Sequence, residues 1–194
     1  MTRNLVVYGT LVVSLLAVAL LVGLPLLSSA SNGNTVSSGS VKASIIAALK
    51  QPGAEVGKPA PLFELGDVVK NKSFSIQEVN GKPAMIYFFA TWCGSCIAHM
   101  PELVALKEKH GENVELVLLD LDATETPEQV REFKDKYYKR EDAHWLIDDK
   151  RNTVSLKYRV EGTSYAYLVD SQGVLVSSAY SPSNEDVEKQ LRLN

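Results

Sequence analysis

No third cysteine accompanies the pair at positions 93 and 96, so in a chain of 194 residues neither thiol has an intramolecular partner except the other. A disulfide-stapled scaffold, which needs several bridges to stand in for a small core, is excluded. The same shortage argues against structural zinc: such a site takes four ligands, and only Cys93, Cys96 and His99 come from one neighbourhood. Basic charge is not in surplus either. Twenty Lys and Arg against 23 Asp and Glu leave a net charge of -3, and the charges are scattered along the chain. Nothing here forms a patch able to neutralise phosphates, and no nucleic-acid partner is expected. There is no internal repeat, and the length suits one domain with extensions.

Charge is missing altogether from residues 5–27. A helix rising about 1.5 Å per residue needs roughly 20 residues to cross the hydrocarbon of a bilayer, so this run is long enough to span. A cleaved signal peptide is the alternative, and Ser28-Ser29-Ala30 offers small residues for cleavage. Signal peptides, however, carry apolar regions of only about 7 to 15 residues, which favours an uncleaved anchor. Arg3 precedes the run and nothing charged follows it until Lys42, so the N-terminus is expected in the cytoplasm and the rest of the chain outside. Residues 28–40 are almost wholly Ser, Asn, Gly and Thr, a composition that cannot bury a core and whose reach is on the order of 20 Å. The expected division is a transmembrane signal anchor at 1–27, a flexible linker at 28–55 holding a short apolar-periodic piece at 41–49, and a folded domain at 56–194.

Within that domain, residues 62–65 and 73–76 read as short strands around a polar turn. Residues 84–90 form a continuous apolar and aromatic run of the kind buried on both faces of a parallel sheet. A helix follows to His110, with Pro101 inside it and Gly111 closing it. Residues 114–121 are the next buried strand. Thr126-Pro127-Glu128-Gln129 then joins a capping hydroxyl, proline at the first helical position and Gln three residues after the cap, opening a helix to about residue 138. A short strand at 145–147, a helix capped by Asp149, a hairpin turning at Asp170-Ser171-Gln172-Gly173 and a last helix capped by Ser181 or Ser183 complete the pattern. Strands alternating with helices and ending in a hairpin predict an α/β domain with a central mixed sheet flanked by helices. The aspartates at 120, 122, 148 and 149 are read as caps and turns rather than metal ligands. The charged run at 132–142 is read as a solvated face.

Several of these pieces together resemble the membrane-tethered, thioredoxin-like thiol-disulfide oxidoreductases of the TlpA/ResA type. They are Gly57-Lys58-Pro59-Ala60-Pro61-Leu62-Phe63, Gly81-Lys82-Pro83, Phe88-Phe89-Ala90-Thr91-Trp92-Cys93-Gly94-Ser95-Cys96, Met100-Pro101-Glu102-Leu103, Tyr158-Arg159-Val160 and Leu168-Val169-Asp170. The resemblance covers residue 56 to the C-terminus. It implies a thioredoxin-like fold with an N-terminal hairpin extension, no cofactor, protein thiols and disulfides as substrates, and electrons supplied through a membrane thiol carrier, with apocytochrome or other exported proteins downstream.

The residues support that chemistry on their own terms. At the start of a helix, unpaired amides and the positive end of the dipole favour thiolate over thiol, and C-x-x-C cysteines so placed have pKa values well below the free value of about 8.5. Cys93 is therefore the expected nucleophile, and Cys96, one turn on, the more buried thiol that resolves the mixed disulfide. Gly94 and Ser95 keep the loop compact and uncharged, and Trp92 is expected to pack over the motif and limit access. The plain alternative is an inert pair or a structural clip, for which an exposed, glycine-containing helix start is the wrong place.

Three residues depart from the family pattern. Gly162-Thr163 is followed by Ser164 where such proteins have a cis-proline facing the cysteines; a cis bond before a non-proline residue costs roughly 2.5 to 4 kcal/mol, so the Thr163-Ser164 peptide is expected to be strained or trans. His99 stands where the family often has Glu, either as a proton shuttle or as a solvated helix residue. Tyr87 occupies the strand position of a buried acid in thioredoxins and reads as core packing, leaving the proton acceptor of Cys96 unassigned. His110 and His144 have no motif around them. The expected activity is extracytoplasmic reduction of protein disulfides, with two alternatives: a Cu(I) chaperone of the same fold, since soft thiolates select Cu(I), and a binding protein without turnover.

Overall fold

The computed structural model describes residues 53–79 and 81–193, and the expected anchor, the tether and the piece at 41–49 lie outside the described residues. Among the described residues no helix is long and apolar enough to cross a membrane. Seven strands make one mixed sheet: β1 (Glu64–Asp67), β2 (Lys72–Ser75), β3 (Ala84–Phe89), β4 (Glu115–Asp120), β5 (His144–Ile147), β6 (Tyr165–Val169) and β7 (Leu175–Tyr180). Their order across the sheet is β2-β1-β5-β4-β3-β6-β7. Four helices, α1 (Gly94–His110), α2 (Pro127–Tyr137), α3 (Thr153–Tyr158) and α4 (Asn184–Leu191), connect and cover it. This is the thioredoxin-like arrangement, with β1 and β2 as the added antiparallel hairpin at one edge.

All six residues of β3 are buried, and alternation along the strand divides them between two cores. Met85, Tyr87 and Phe89 pack with Met100, Leu103 and Leu106 of α1, Val130 and Phe133 of α2 and Val187 and Leu191 of α4. Ile86 and Phe88 face the other way, toward Phe74 of the hairpin and Val154 and Tyr158 of α3. A continuous apolar run is what a strand covered on both faces requires, because each successive side chain meets a different layer of protein.

The local signals that bound the helices are visible. Thr126 Oγ1 accepts from the Gln129 amide while Gln129 Oε1 accepts from the Thr126 amide, a complete capping box. Asp148 accepts from the amides of Val154 and Ser155, and Asp149 from Thr153, which satisfies the first turn of α3 and supports the reading of these aspartates as caps. α1 runs through Pro101 and stops at Gly111, whose φ of 54° a residue with a Cβ adopts only at a cost. Ser183 caps α4.

Pairing register brings three chain segments to one end of the sheet. β3 is parallel to β4, with Phe89 opposite Asp120, so the turns after both strands emerge side by side. β6 is antiparallel to β3 with Tyr165 opposite Phe88, so the residues just before β6 meet the residues just after β3. The motif at 92–96, the turn at 121–126 and the segment at 162–164 converge there.

Candidate active site

Cys93 is the N-cap of α1 and Cys96 lies in its first turn. The two are joined as a disulfide, with Cα atoms 5.2 Å apart, well inside the range a bridge spans. Cys96 is fully buried and Cys93 is 4% exposed, so the first sulfur is more enclosed than an open helix start suggests. The Cys96 amide donates to Cys93 Sγ at 3.1 Å, one of the unpaired N–H groups of the helix start aimed at the sulfur. Ser95 Oγ lies 3.2 Å from Cys93 Sγ. Gly94 and Ser95 are exposed, and a Cβ built at Gly94 would meet no atom within 4 Å. A dithiol here can form and break its own disulfide, and the helix start and hydroxyl favour negative charge on Cys93 when the bond opens.

Ser164 stands against the sulfurs, so the segment after Gly162 is aligned with the motif as expected. Its Oγ is 3.2 Å from Cys96 Sγ and 3.7 Å from Cys93 Sγ. No cis peptide bond occurs among the described residues, and Ser164 instead takes a left-handed backbone with φ of 62°. Its carbonyl accepts from the Ser181 amide at 2.7 Å, which helps hold that conformation. Thr163 is half-buried beside it and makes no hydrogen bond to either sulfur.

Two expectations need correction. Trp92 does not close the site: the ring is 65% exposed, tied by its Nε1 to Asp122 Oδ2 at 2.9 Å. An indole has one polar atom, and the carboxylate beyond β4 draws it outward. His99 is no solvated helix residue: it is 7% exposed and stacks on Tyr87 with ring centroids 5.3 Å apart and planes at 16°. Burial lowers its pKa, with the Glu102 charge opposing, and its Nε2 finds no hydrogen-bond partner. The other two histidines take structural partners, His110 with Glu188 and His144 with Asp67. Among the described residues no group of three or more His, Cys, Asp or Glu is placed to hold a metal.

Sequence reasoning missed two features. The Tyr87 hydroxyl donates to Ser164 Oγ at 3.1 Å, so this core residue reaches the site across 77 positions of sequence. A carboxyl pair also lies under the motif. Glu125 accepts from the Thr91 amide at 3.1 Å and from Thr91 Oγ1 at 2.9 Å, bracing the residue before Trp92. Asp120 is fully buried, and its pKa is driven far above the ordinary carboxylate range, first by burial and then by Glu125. No hydrogen bond of ordinary geometry reaches its Oδ2. The continuous apolar run Leu116 to Leu119 leading into Asp120 at the end of β4 was the one available signal, because a strand covered on both faces encloses its side chains whichever way they point.

A stability consequence follows from Asp120. Between the ordinary carboxylate pKa and the raised one, the folded protein keeps a proton that the unfolded chain has lost. That contribution is fully present below the ordinary pKa and declines as pH rises toward the raised one, by up to about 1.4 kcal/mol per pH unit for one group. Asp120→Asn, which cannot ionise, is expected to flatten the fall in urea-unfolding free energy between pH 6 and 8. An unchanged slope in that variant would place the titration elsewhere.

A model of the AhpC/TSA family matches residues 56–178. Thioredoxin-like protein YneN of Bacillus subtilis is 31% identical over 127 residues, covering 65% of this chain and 72% of the relative. Thiol-disulfide oxidoreductase ResA of Bacillus thuringiensis subsp. konkukian is 29% identical over 146 residues, 74% of this chain and 80% of the relative. The solved structure of a thiol:disulfide interchange protein of the thioredoxin family from Chlorobium tepidum superposes with a TM-score of 0.60 at 19% identity, covering 73% of this chain and 98% of that one. That last likeness bears on the fold.

Proposed function

This chain belongs to the AhpC/TSA family and is a thiol-disulfide oxidoreductase, and from that premise we propose that it reduces disulfides of exported proteins from the outer face of a membrane. The observation that carries the reading is the Cys93–Cys96 disulfide closed at the start of α1 with the Cys96 amide aimed at Cys93. Cys93 as thiolate attacks a substrate disulfide, joining one substrate sulfur and releasing the other with the electron pair. Cys96 then attacks Cys93, the internal disulfide forms, and the second substrate sulfur leaves reduced. The substrate gains two electrons, and the pair must be recharged by a dithiol donor, for which a membrane thiol carrier is the fitting class. Ser164, against the sulfurs, and Thr163 before it are the candidate substrate-binding residues, with Trp92 exposed for contact with a protein partner.

Tethering rests on the charge-free run at 5–27 with Arg3 before it, followed by the linker at 28–55 and the domain at 56–194. Apocytochrome in cytochrome c maturation is one exported substrate of the right chemistry. The full-length chain in mild detergent is expected to accelerate insulin reduction by dithiothreitol, and Cys93→Ser to abolish the acceleration. Stoichiometric Cu(I) uptake without turnover would favour a copper chaperone, and neither activity a binding protein.

A further inference from the structure

We propose that the buried Cys96 thiol releases its proton through a hydroxyl relay, from Cys96 to Ser164 to Ser95 and out to water, with Tyr87 setting the direction. The inference rests on the reading of Cys96 as the resolving thiol. That role needs a thiolate, yet Cys96 is fully buried, and apolar burial raises a cysteine pKa. Among the described residues, Ser164 is the one side chain besides Cys93 in hydrogen-bonding reach of its sulfur.

The geometry around Ser164 fits a relay. A serine hydroxyl has one proton to donate and two lone pairs to accept with. Ser164 Oγ donates to Ser95 Oγ at 2.8 Å and accepts from Tyr87 at 3.1 Å. One lone pair is left, and Cys96 Sγ lies 3.2 Å away. Ser164 is therefore set to take a proton from Cys96 while giving its own to Ser95, which is exposed and can pass one on to water. Tyr87 keeps its proton because burial raises its pKa, against the opposing hydrogen bonds of Ser164 and Ser181. The left-handed backbone at Ser164 belongs to the same arrangement, since it is the conformation in which the side chain meets both sulfurs. Besides Tyr87, the titratable groups beside the relay among the described residues are Cys93 and His99 of α1; His99 stacks on Tyr87 and makes no hydrogen bond to either sulfur, and the Glu102 charge opposes the burial that lowers the His99 pKa.

In the resolving step the Cys96 S–H bond breaks and its proton passes to Ser164 Oγ. The Ser164 proton moves to Ser95 Oγ, and one proton leaves Ser95 for water. The thiolate attacks Cys93 Sγ, the Cys93–Cys96 bond forms and the bond to the substrate sulfur breaks. That sulfur departs with the electron pair and is protonated by water, leaving the serines as they began.

The test uses the reduced full-length chain and oxidised glutathione, following by acid quench and mass spectrometry the glutathionylated Cys93 intermediate and its resolution. Ser164→Ala is expected to slow resolution at pH 7 by about a hundredfold, the low end of what a positioned proton acceptor contributes. The rate of the first attack should change far less. The lost rate should return as pH is raised from 7 to 9, where bulk base takes the proton; a merely structural defect would lower it at every pH. Ser95→Ala, at an exposed position that cannot disturb the core, should slow the same step, and the double variant should be no slower than Ser164→Ala alone. Wild-type resolution with an unaltered pH profile in Ser164→Ala or Ser95→Ala overturns the relay and leaves the oxidoreductase reading standing. Failure of the reduced wild type to react with oxidised glutathione, with neither a glutathione adduct nor the Cys93–Cys96 disulfide formed, overturns that reading, and the relay with it.

Discussion

Cys96→Ser is expected to stall the protein as a covalent complex with its substrate, and steady-state insulin reduction to fall by about 10³-fold or more. The magnitude follows from proximity: well-oriented intramolecular attack has an effective molarity of about 10⁵ M or above, whereas an outside thiol is supplied at millimolar levels. The bridge already closed between Cα atoms 5.2 Å apart is the evidence for that orientation. Cys93→Ser should trap nothing, because the remaining sulfur is fully buried and cannot meet a protein disulfide. Non-reducing gels of each variant after exposure to a disulfide-containing protein would decide the matter. An adduct held by Cys93→Ser, and none by Cys96→Ser, would reverse the two roles and remove the basis for the proposed mechanism.

The second large effect concerns stability. Ser164→Pro supplies the residue that the family pattern carries at this point, yet it is expected to destabilise the domain by about 3 kcal/mol. Proline holds φ near −65°, and Ser164 sits at φ 62° on a trans bond, so the segment before β6 would have to be rebuilt. For a domain of this size the loss corresponds to a fall in Tm of about 10 °C. Ser164→Gly separates the two contributions of this residue. Glycine accepts the left-handed backbone without strain, so its Tm should stay close to wild type while the hydroxyl contacts to Tyr87, Ser95 and the sulfurs disappear. Thermal unfolding of the two variants side by side is the measurement. A Ser164→Pro protein as stable as wild type would mean that the segment tolerates either backbone, and that the local conformation has no bearing on the choice of serine.

Both results turn on how the sulfurs are surrounded, and that is where reading along the chain met its limit. The strand at 84–89, the helix with Pro101 inside it, the capping box at Thr126 and the final hairpin were legible because each depends on residues within a few positions of one another. Apolar alternation, a cap hydroxyl or a proline acts through the local backbone, and the tertiary structure changes such features little. The expectation for Trp92 and the solvated reading of His99 failed for the opposite reason. Whether an indole faces outward or an imidazole is enclosed depends on what another strand or turn places beside it, here Asp122 and Tyr87. The identity of Ser164 as the residue facing the cysteines came from the family pattern. Its hydrogen bonds did not.

The amino-acid sequence alone determined that this molecule has one pair of thiols, two residues apart, at a junction of strand and helix, and that nothing else in the chain can bridge to either. Covalent chemistry and short-range backbone preference are properties of neighbours, and they are complete once the order of residues is known. The surroundings of the pair were decided by pairing register. Parallel alignment of β3 with β4 and antiparallel alignment with β6 carry Glu125 under the motif and Ser164 against it. Hydrogen bonds between groups 34 to 77 residues apart exist only when the sheet has closed, because a contact of about 3 Å requires both partners to be held by the same folded frame.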